Sequence, residues 1–341
     1  MGQKRDLKLI VFSAVFLLFI AGCDGGEAPT GAPTTPFLGG TGGLEISFLE
    51  GSPPTEVTDG DTFDFQAVVK LKNNGEYDLQ KDRVNVSLIG FSPADFGVIA
   101  ADEKLLVGEN PEDNPAPRQR DSEGNIIEPV ETFVTFPSEI TNFNFKGDLA
   151  GNTVFIFRAD VCYKYETIAV SEVCVLENMI DVADGAICNP SEAKSIFSSG
   201  SPIKVDGFRQ SVVGKDKVQF SFDIAHSGTG NIFVEEFDRS DCPKNPSERR
   251  KKEGKVNVTI KTGLPVVSAG VAALNCAGLK DSTAASVSTG AVTLVNGKRT
   301  VTCTQTLASS RSDFKRPVDI NVIFNYLSSA DKEVLVKHLV D

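Results

Sequence analysis

Three segments recur in the same order in the two halves of the 341-residue chain, and an internal repeat restricts the possible folds more than composition does. Phe63 to Gly75, FDFQAVVKLKNNG, matches Val218 to Gly230, VQFSFDIAHSGTG. Val84 to Leu88, VNVSL, matches Val256 to Ile260, VNVTI, and Tyr165 to Val175, YETIAVSEVCV, aligns without a gap to Tyr326 to Val336, YLSSADKEVLV. The first pair alternates apolar and polar residues and ends at a glycine, as half-buried strands do. The spacing between matches changes: the second half carries extra residues before Val256, where Cys242 and Arg249 to Lys252 lie, and the first half carries extra residues before Tyr165. Insertions of this kind belong in loops. The sequence therefore predicts two copies of one β unit, residues 43–177 and 199–341, joined by an interdomain segment, 178–198.

Within each copy the strand signals are short, alternating and rich in Val, Ile, Phe and Thr. Asn296-Gly297 inside Ala291 to Thr302 suits a type I′ hairpin turn. Helical periodicity is scarce, with Ser191 to Phe197 long enough for two turns at most. The expected fold class is all-β, two tandem antiparallel sandwiches. An extended entry strand, the Gly60-Asp61 turn, an alternating strand and then Asn73-Asn74-Gly75 resemble the immunoglobulin-like and CARDB-like modules of bacterial and archaeal surface proteins. That resemblance implies a β-sandwich and no active site.

The N-terminus supplies an address. Lys4, Arg5 and Lys8 precede an apolar run from Leu9 to Gly22, which is short for a membrane span of roughly 20 residues but fits the core of a secretion signal. Ile20-Ala21-Gly22-Cys23 resembles the lipobox of prokaryotic lipoproteins. The resemblance implies cleavage of residues 1–22, a diacylglycerol on the Cys23 thiol, and a location on the outer face of the cytoplasmic membrane. An ordinary cleaved signal or an uncleaved anchor would also export the body. Residues 23–42 are mostly Gly, Pro, Thr and Ala and cannot repay their ordering entropy. They read as a flexible tether reaching roughly 25 Å.

Removing residues 1–22 takes three positive charges and one negative from a formal net charge of −12, so the mature chain is more acidic still. Such a body lacks the basic stripe that nucleic acid requires, and Arg249 to Lys252 reads as a solvated loop tip. With Cys23 lipidated, Cys162, Cys174, Cys188, Cys242, Cys276 and Cys303 form an even set that predicts three disulfides in an exported protein. If Tyr165 to Val175 ends a hairpin, Cys162 faces Cys174 across the turn, Cys276 pairs with Cys303 within one unit, and Cys188 is left for Cys242. That is one pairing of several that six cysteines allow.

Candidate chemistry is sparse. Two histidines are present: His226 takes the parity of Leu71 in the repeat and reads as a strand-end side chain packed on the core, and His338 lies near the end of the chain. No catalytic, cofactor or metal residue is assigned. The run from Asp59 to Asp64 has carboxylates for calcium but lacks the EF-hand glutamate, with Lys70 or Lys72 at the twelfth position, and reads as a turn feeding a strand. Asn85 and Asn257 head glycosylation sequons at the same repeat position. Trp is absent and Tyr numbers four, which disfavours sugar stacking. The polar insertion from Ala101 to Glu131 is a surface loop or a recognition element. These features predict a lipid-anchored extracytoplasmic structural, adhesion or protein-binding module with a protein or cell-envelope partner. A hydrolase built on paired carboxylates and a calcium-dependent binding module are the alternatives.

Overall fold

The computed structural model describes residues 35–138, 142–235, 242–264, 274–279, 281–284 and 286–339, the side chains of 281–284 excepted. The signal segment 1–22, Cys23 and residues 24–34 of the expected tether lie outside the described residues. The first half contains β1 (Leu44–Phe48), β2 (Glu56–Thr58), β3 (Asp64–Phe65), β4 (Ala67–Asn73), β5 (Val84–Ile89), β6 (Val107–Glu109), β7 (Gln119–Arg120), β8 (Ile126–Ile127), β9 (Thr132–Phe136), β10 (Phe143–Asn144) and β11 (Thr153–Val175). The second contains β12 (Ile196–Ser198), β13 (Ile203–Val212), β14 (Lys217–His226), β15 (Asn231–Phe233), a short helix α1 (Pro246–Lys252), β16 (Lys255–Thr262), β17 (Asn275–Cys276), β18 (Asp281–Ala284), β19 (Val287–Thr293), β20 (Lys298–Thr306) and β21 (Phe314–Lys337). The fold is all-β and almost wholly antiparallel; β2 against β21 is a parallel pair.

β11 and β21 dominate the architecture. β11 runs for 23 residues without a glycine, proline or asparagine to turn it, and it pairs with β21 along its whole length, from Thr153 opposite Val336 to Val175 opposite Phe314. This ladder is the middle of a ten-stranded sheet, β18-β19-β16-β21-β11-β5-β6, with β12 beside β11 and both β15 and β2 beside β21. Smaller sheets, β1-β4-β9 and β13-β14-β20-β17, supply the other walls of the core. Odd-numbered residues of β11 and even-numbered residues of β21 are the buried set, among them Phe157, Ala159, Val161 and Tyr163 of β11 and Val318, Ile320, Val322 and Phe324 of β21. The period of two thus gives the shared sheet one core face and one outer face. Residues 36–341 form one compact unit, and buried side chains from both repeat copies belong to one hydrophobic cluster.

The repeat is legible in the ladder itself. Asn85 sits opposite Cys162 in the β5–β11 pair, and Asn257 sits opposite Ile323 in the β16–β21 pair; Asn85 and Asn257 are matched in the repeat, and running the Tyr165–Tyr326 match three residues back aligns Cys162 with Ile323. β4 lies between β1 and β9, and β14 between β13 and β20. Because β11 and β21 run antiparallel, the copies are related by an approximate two-fold about the middle of their ladder, where Tyr163 faces Tyr326.

All four tyrosines gather at this middle: Tyr163 contacts Tyr165 and Tyr326, and Tyr77 lies edge-on to Tyr165. Their hydroxyls hold backbone turns. Tyr163 Oη accepts from Leu44 N, Tyr165 Oη donates to Asn73 Oδ1, and Tyr326 Oη accepts from Gly230 N at 2.8 Å. The glycines ending the repeated segments follow from this. A Cβ on Gly75 would lie 1.9 Å from Tyr165 Oη, and one on Gly230 would lie 2.4 Å from the Leu327 carbonyl and 2.6 Å from the Tyr326 ring. A second group of rings, with Phe91 stacked on Phe157 at 4.2 Å and Phe96 edge-on to both, fills the first half's core.

Two expectations change here. Asn296 and Gly297 take positive φ, 52° and 75°, with Val295 and Lys298 bonded in both directions, so the type I′ turn forms. Its arms then part: β19 continues in the shared sheet and β20 in the four-stranded one, making a corner between sheets rather than a hairpin. The disulfides are Cys162–Cys242, Cys174–Cys188 and Cys276–Cys303. Cys276–Cys303 is as expected, on directly paired residues of β17 and β20. Cys162 and Cys174 stand in one uninterrupted strand, roughly 40 Å apart at a strand's rise, and no turn brings them to the roughly 6 Å a bridge needs.

The glycine contacts make a direct prediction. Gly75→Ala and Gly230→Ala each lower the unfolding free energy by at least about 2 kcal/mol through overpacking, while Gly151→Ala, with nothing within 4 Å of the added carbon, leaves it nearly unchanged. Urea titration of the three variants checks this.

Candidate functional site

The outer face of the shared sheet collects polar groups that the sequence scattered. Val234 and Glu235 follow β15, and Cys242 is bridged to Cys162 of β11. Glu235 Oε1 lies 2.7 Å from Lys164 Nζ, both side chains being largely buried. The Glu235 carbonyl accepts from Asn257 Nδ2 at 2.8 Å, and Asn321 Nδ2 donates to Glu166 Oε1 at 2.7 Å. Desolvation raises the Glu166 carboxyl above its usual range, against the opposing pull of Lys164 and the Asn321 bond, with the Glu235 charge adding to the rise. Both sequon asparagines lie near this cluster on the outward parity. The amide nitrogen of Asn257, the atom that would carry a glycan, is already donated to Glu235, and Asn85 Oδ1 accepts a 3.4 Å bond from Asn110.

Farther along the same face, the Cys174–Cys188 bridge pins the segment between β11 and β12. Beside it a groove of about 520 Å³ runs between β11, β12 and the start of β21. Its carboxylates are matched with lysines: Glu172 with Lys315 at 3.0 Å, and Glu192 with Lys194 at 2.6 Å, a contact that lowers the Glu192 carboxyl.

The acids from Asp59 to Asp64 go separate ways. Asp61 pairs with Lys146, and Asp64 accepts from Asn144 at 2.6 Å. Asp59 is buried and accepts from Leu339 N at 2.9 Å, from Leu149 N at 3.1 Å and from His338 Nδ1 at 2.8 Å. These bonds, Leu339 and His338 foremost, hold its carboxyl down to about 2. Asp148 Oδ1 lies 3.7 Å from the same His338 nitrogen. Among the described residues this trio is the cluster of histidine, cysteine or acidic side chains close enough to share an ion; the acidic run containing Asp59 was legible as a possible ion site, but its partners Asp148 and His338 were not, being far away in the chain. His226 instead packs edge-on against Tyr326, with Nε2 3.2 Å from the hydroxyl, and burial lowers its pKa.

The run Arg249 to Lys252 is the last turn of α1 rather than an irregular loop tip. Asn245 caps it by accepting from Ser247 N, and Pro246 opens it; this Asn-Pro start was a readable N-terminal signal. Residues 101–131 include the small β7–β8 hairpin, whose turn is closed by Asp121 accepting from Glu123 N and Asn125 N. Near its tip Ile126, Ile127 and Val130 are 49%, 52% and 72% exposed.

No protein-family model matches the sequence, and no curated protein matches it.

The raised Glu166 carboxyl makes a pH-dependent prediction. A carboxyl whose folded pKa lies above its unfolded value of 4.5 contributes stability below that value and loses it as pH rises through the folded pKa. The difference in melting temperature between Glu166→Gln and wild type therefore shifts in the variant's favour on going from pH 4 to pH 7. A pH-independent difference contradicts the assignment.

Proposed function

We propose that this chain is a lipid-anchored extracytoplasmic protein whose two immunoglobulin-like halves, fused through one sheet, serve as a structural, adhesion or protein-binding module without catalysis. The partition of the cysteines carries the reading. Six form three disulfides, which fits an oxidising compartment, and the seventh is Cys23 of the lipobox-like sequence. The residues next to the tether fit an anchoring role: Glu76 accepts from Leu38 N and Gly39 N at 2.8 Å and from Gly200 N at 2.6 Å, tying the exit of the tether to the body. The exposed aliphatics of the β7–β8 insertion supply a contact surface for a protein partner. His226 is committed to Tyr326 and the groove carboxylates to lysines, which favours binding over hydrolysis.

Mass spectrometry of the mature N-terminus tests the anchor. The expected species begins at a diacylglycerol-modified Cys23, and Cys23→Ser releases the protein from membranes or blocks its processing; an intact Met1 refutes the reading. For the binding surface, Ile126→Asp with Ile127→Asp is expected to reduce partner capture in crosslinking on intact cells while leaving the melting temperature within about 2 °C of wild type.

A further inference from the structure

Asp59, Asp148 and His338 come from three places in the chain: the end of β2, the loop before β11 and the residue just past β21. Their ligand atoms lie within 4.8 Å of one another, with His338 Nδ1 2.8 Å from Asp59 Oδ2 and 3.7 Å from Asp148 Oδ1. Donor atoms around a zinc-sized ion, at bond lengths near 2.0–2.1 Å, stand roughly 3–3.4 Å apart, so the triangle needs small adjustments only. Asp148 can make them, because its side chain is 90% exposed. Asp59 needs none: backbone N–H groups of Leu149 and Leu339 fix its carboxylate, which is the outer-shell support metal ligands commonly have.

We propose that Asp59, Asp148 and His338 form a binding site for a divalent first-row transition ion of the zinc class. The ion takes the place of the His338–Asp59 hydrogen bond: the imidazole binds through Nδ1 as its neutral Nε2–H tautomer, and any proton Nδ1 carried passes to Nε2 or to solvent. Two carboxylates balance the ion's two positive charges. The imidazole selects against calcium and magnesium, which prefer all-oxygen shells. This goes beyond the anchored-module reading and does not depend on it. Bound there, the ion clamps the end of β21 to the loops after β2 and before β11.

The test is calorimetric titration of chelator-stripped full-length protein with zinc chloride, alongside thermal melting. Wild type is expected to bind one zinc and to melt at a higher temperature with it. Asp148→Asn, which leaves the backbone bonds of Asp59 intact, is expected to keep the metal-free melting temperature and to bind more weakly by over about tenfold, since losing a ligand costs at least what losing outer-shell support does. Absence of zinc-dependent heat and stabilisation, or wild-type affinity in Asp148→Asn, overturns the site. Calcium binding in preference to zinc overturns the ion class.

Discussion

The pairing of β11 with β21 is the contact on which the remaining structure depends. A two-stranded ribbon is marginal alone, but this one runs through 23 residue pairs and offers a continuous face of alternating apolar side chains to both copies of the repeat. β5 and β16 add to its two sides in equivalent registers. The tyrosines at its middle turn a hydrophobic surface into a specific one: each buried ring brings a hydroxyl that requires a partner, and the partners are the turns that open and close the repeated strands. Burial raises Tyr163, Tyr165 and Tyr326 above their usual pKa, so these hydroxyls keep their protons.

The outer face of the ladder is covered differently, by polypeptide held in place covalently. In the chain-entropy view the Cys162–Cys242 bridge, closing 80 residues, and Cys174–Cys188, closing 14, remove about 4.5 and about 3 kcal/mol of unfolded-state freedom. Gln210 plays a non-covalent version of the role, taking the N–H and C=O of Cys174 with one amide group.

What the sequence revealed is what depends on local periodicity. Alternation placed Val69, Leu71, Phe220 and Ile224 in the core, and all are buried; Asn296-Gly297 formed its turn. The disulfide partners of Cys162 and Cys174 were missed because a long strand and a hairpin share the same period of two, and the difference lay in the absence of turn residues between Thr153 and Val175. Of the Asp59 trio only the acidic run holding Asp59 was locally legible, since Asp59 and His338 meet only because β2 pairs with the far end of β21. The divergence of β19 from β20 was likewise invisible, because a two-residue turn dictates how a chain reverses and not which sheet each arm joins.

The approximate two-fold about the β11–β21 ladder also speaks to origin and to solubility. An isologous contact, the same surface used by both partners, is what a symmetric homodimer builds, and here the two surfaces are edge strands of 23 and 24 residues within one chain. A single half, separated from the other, would present 23 residues of unpaired strand edge, the template on which chains join indiscriminately. Fusion into one polypeptide makes the partner permanently available, so the most aggregation-prone element of the fold is the one least often exposed, and the ancestral unit is more naturally pictured as a dimer than as a free monomer.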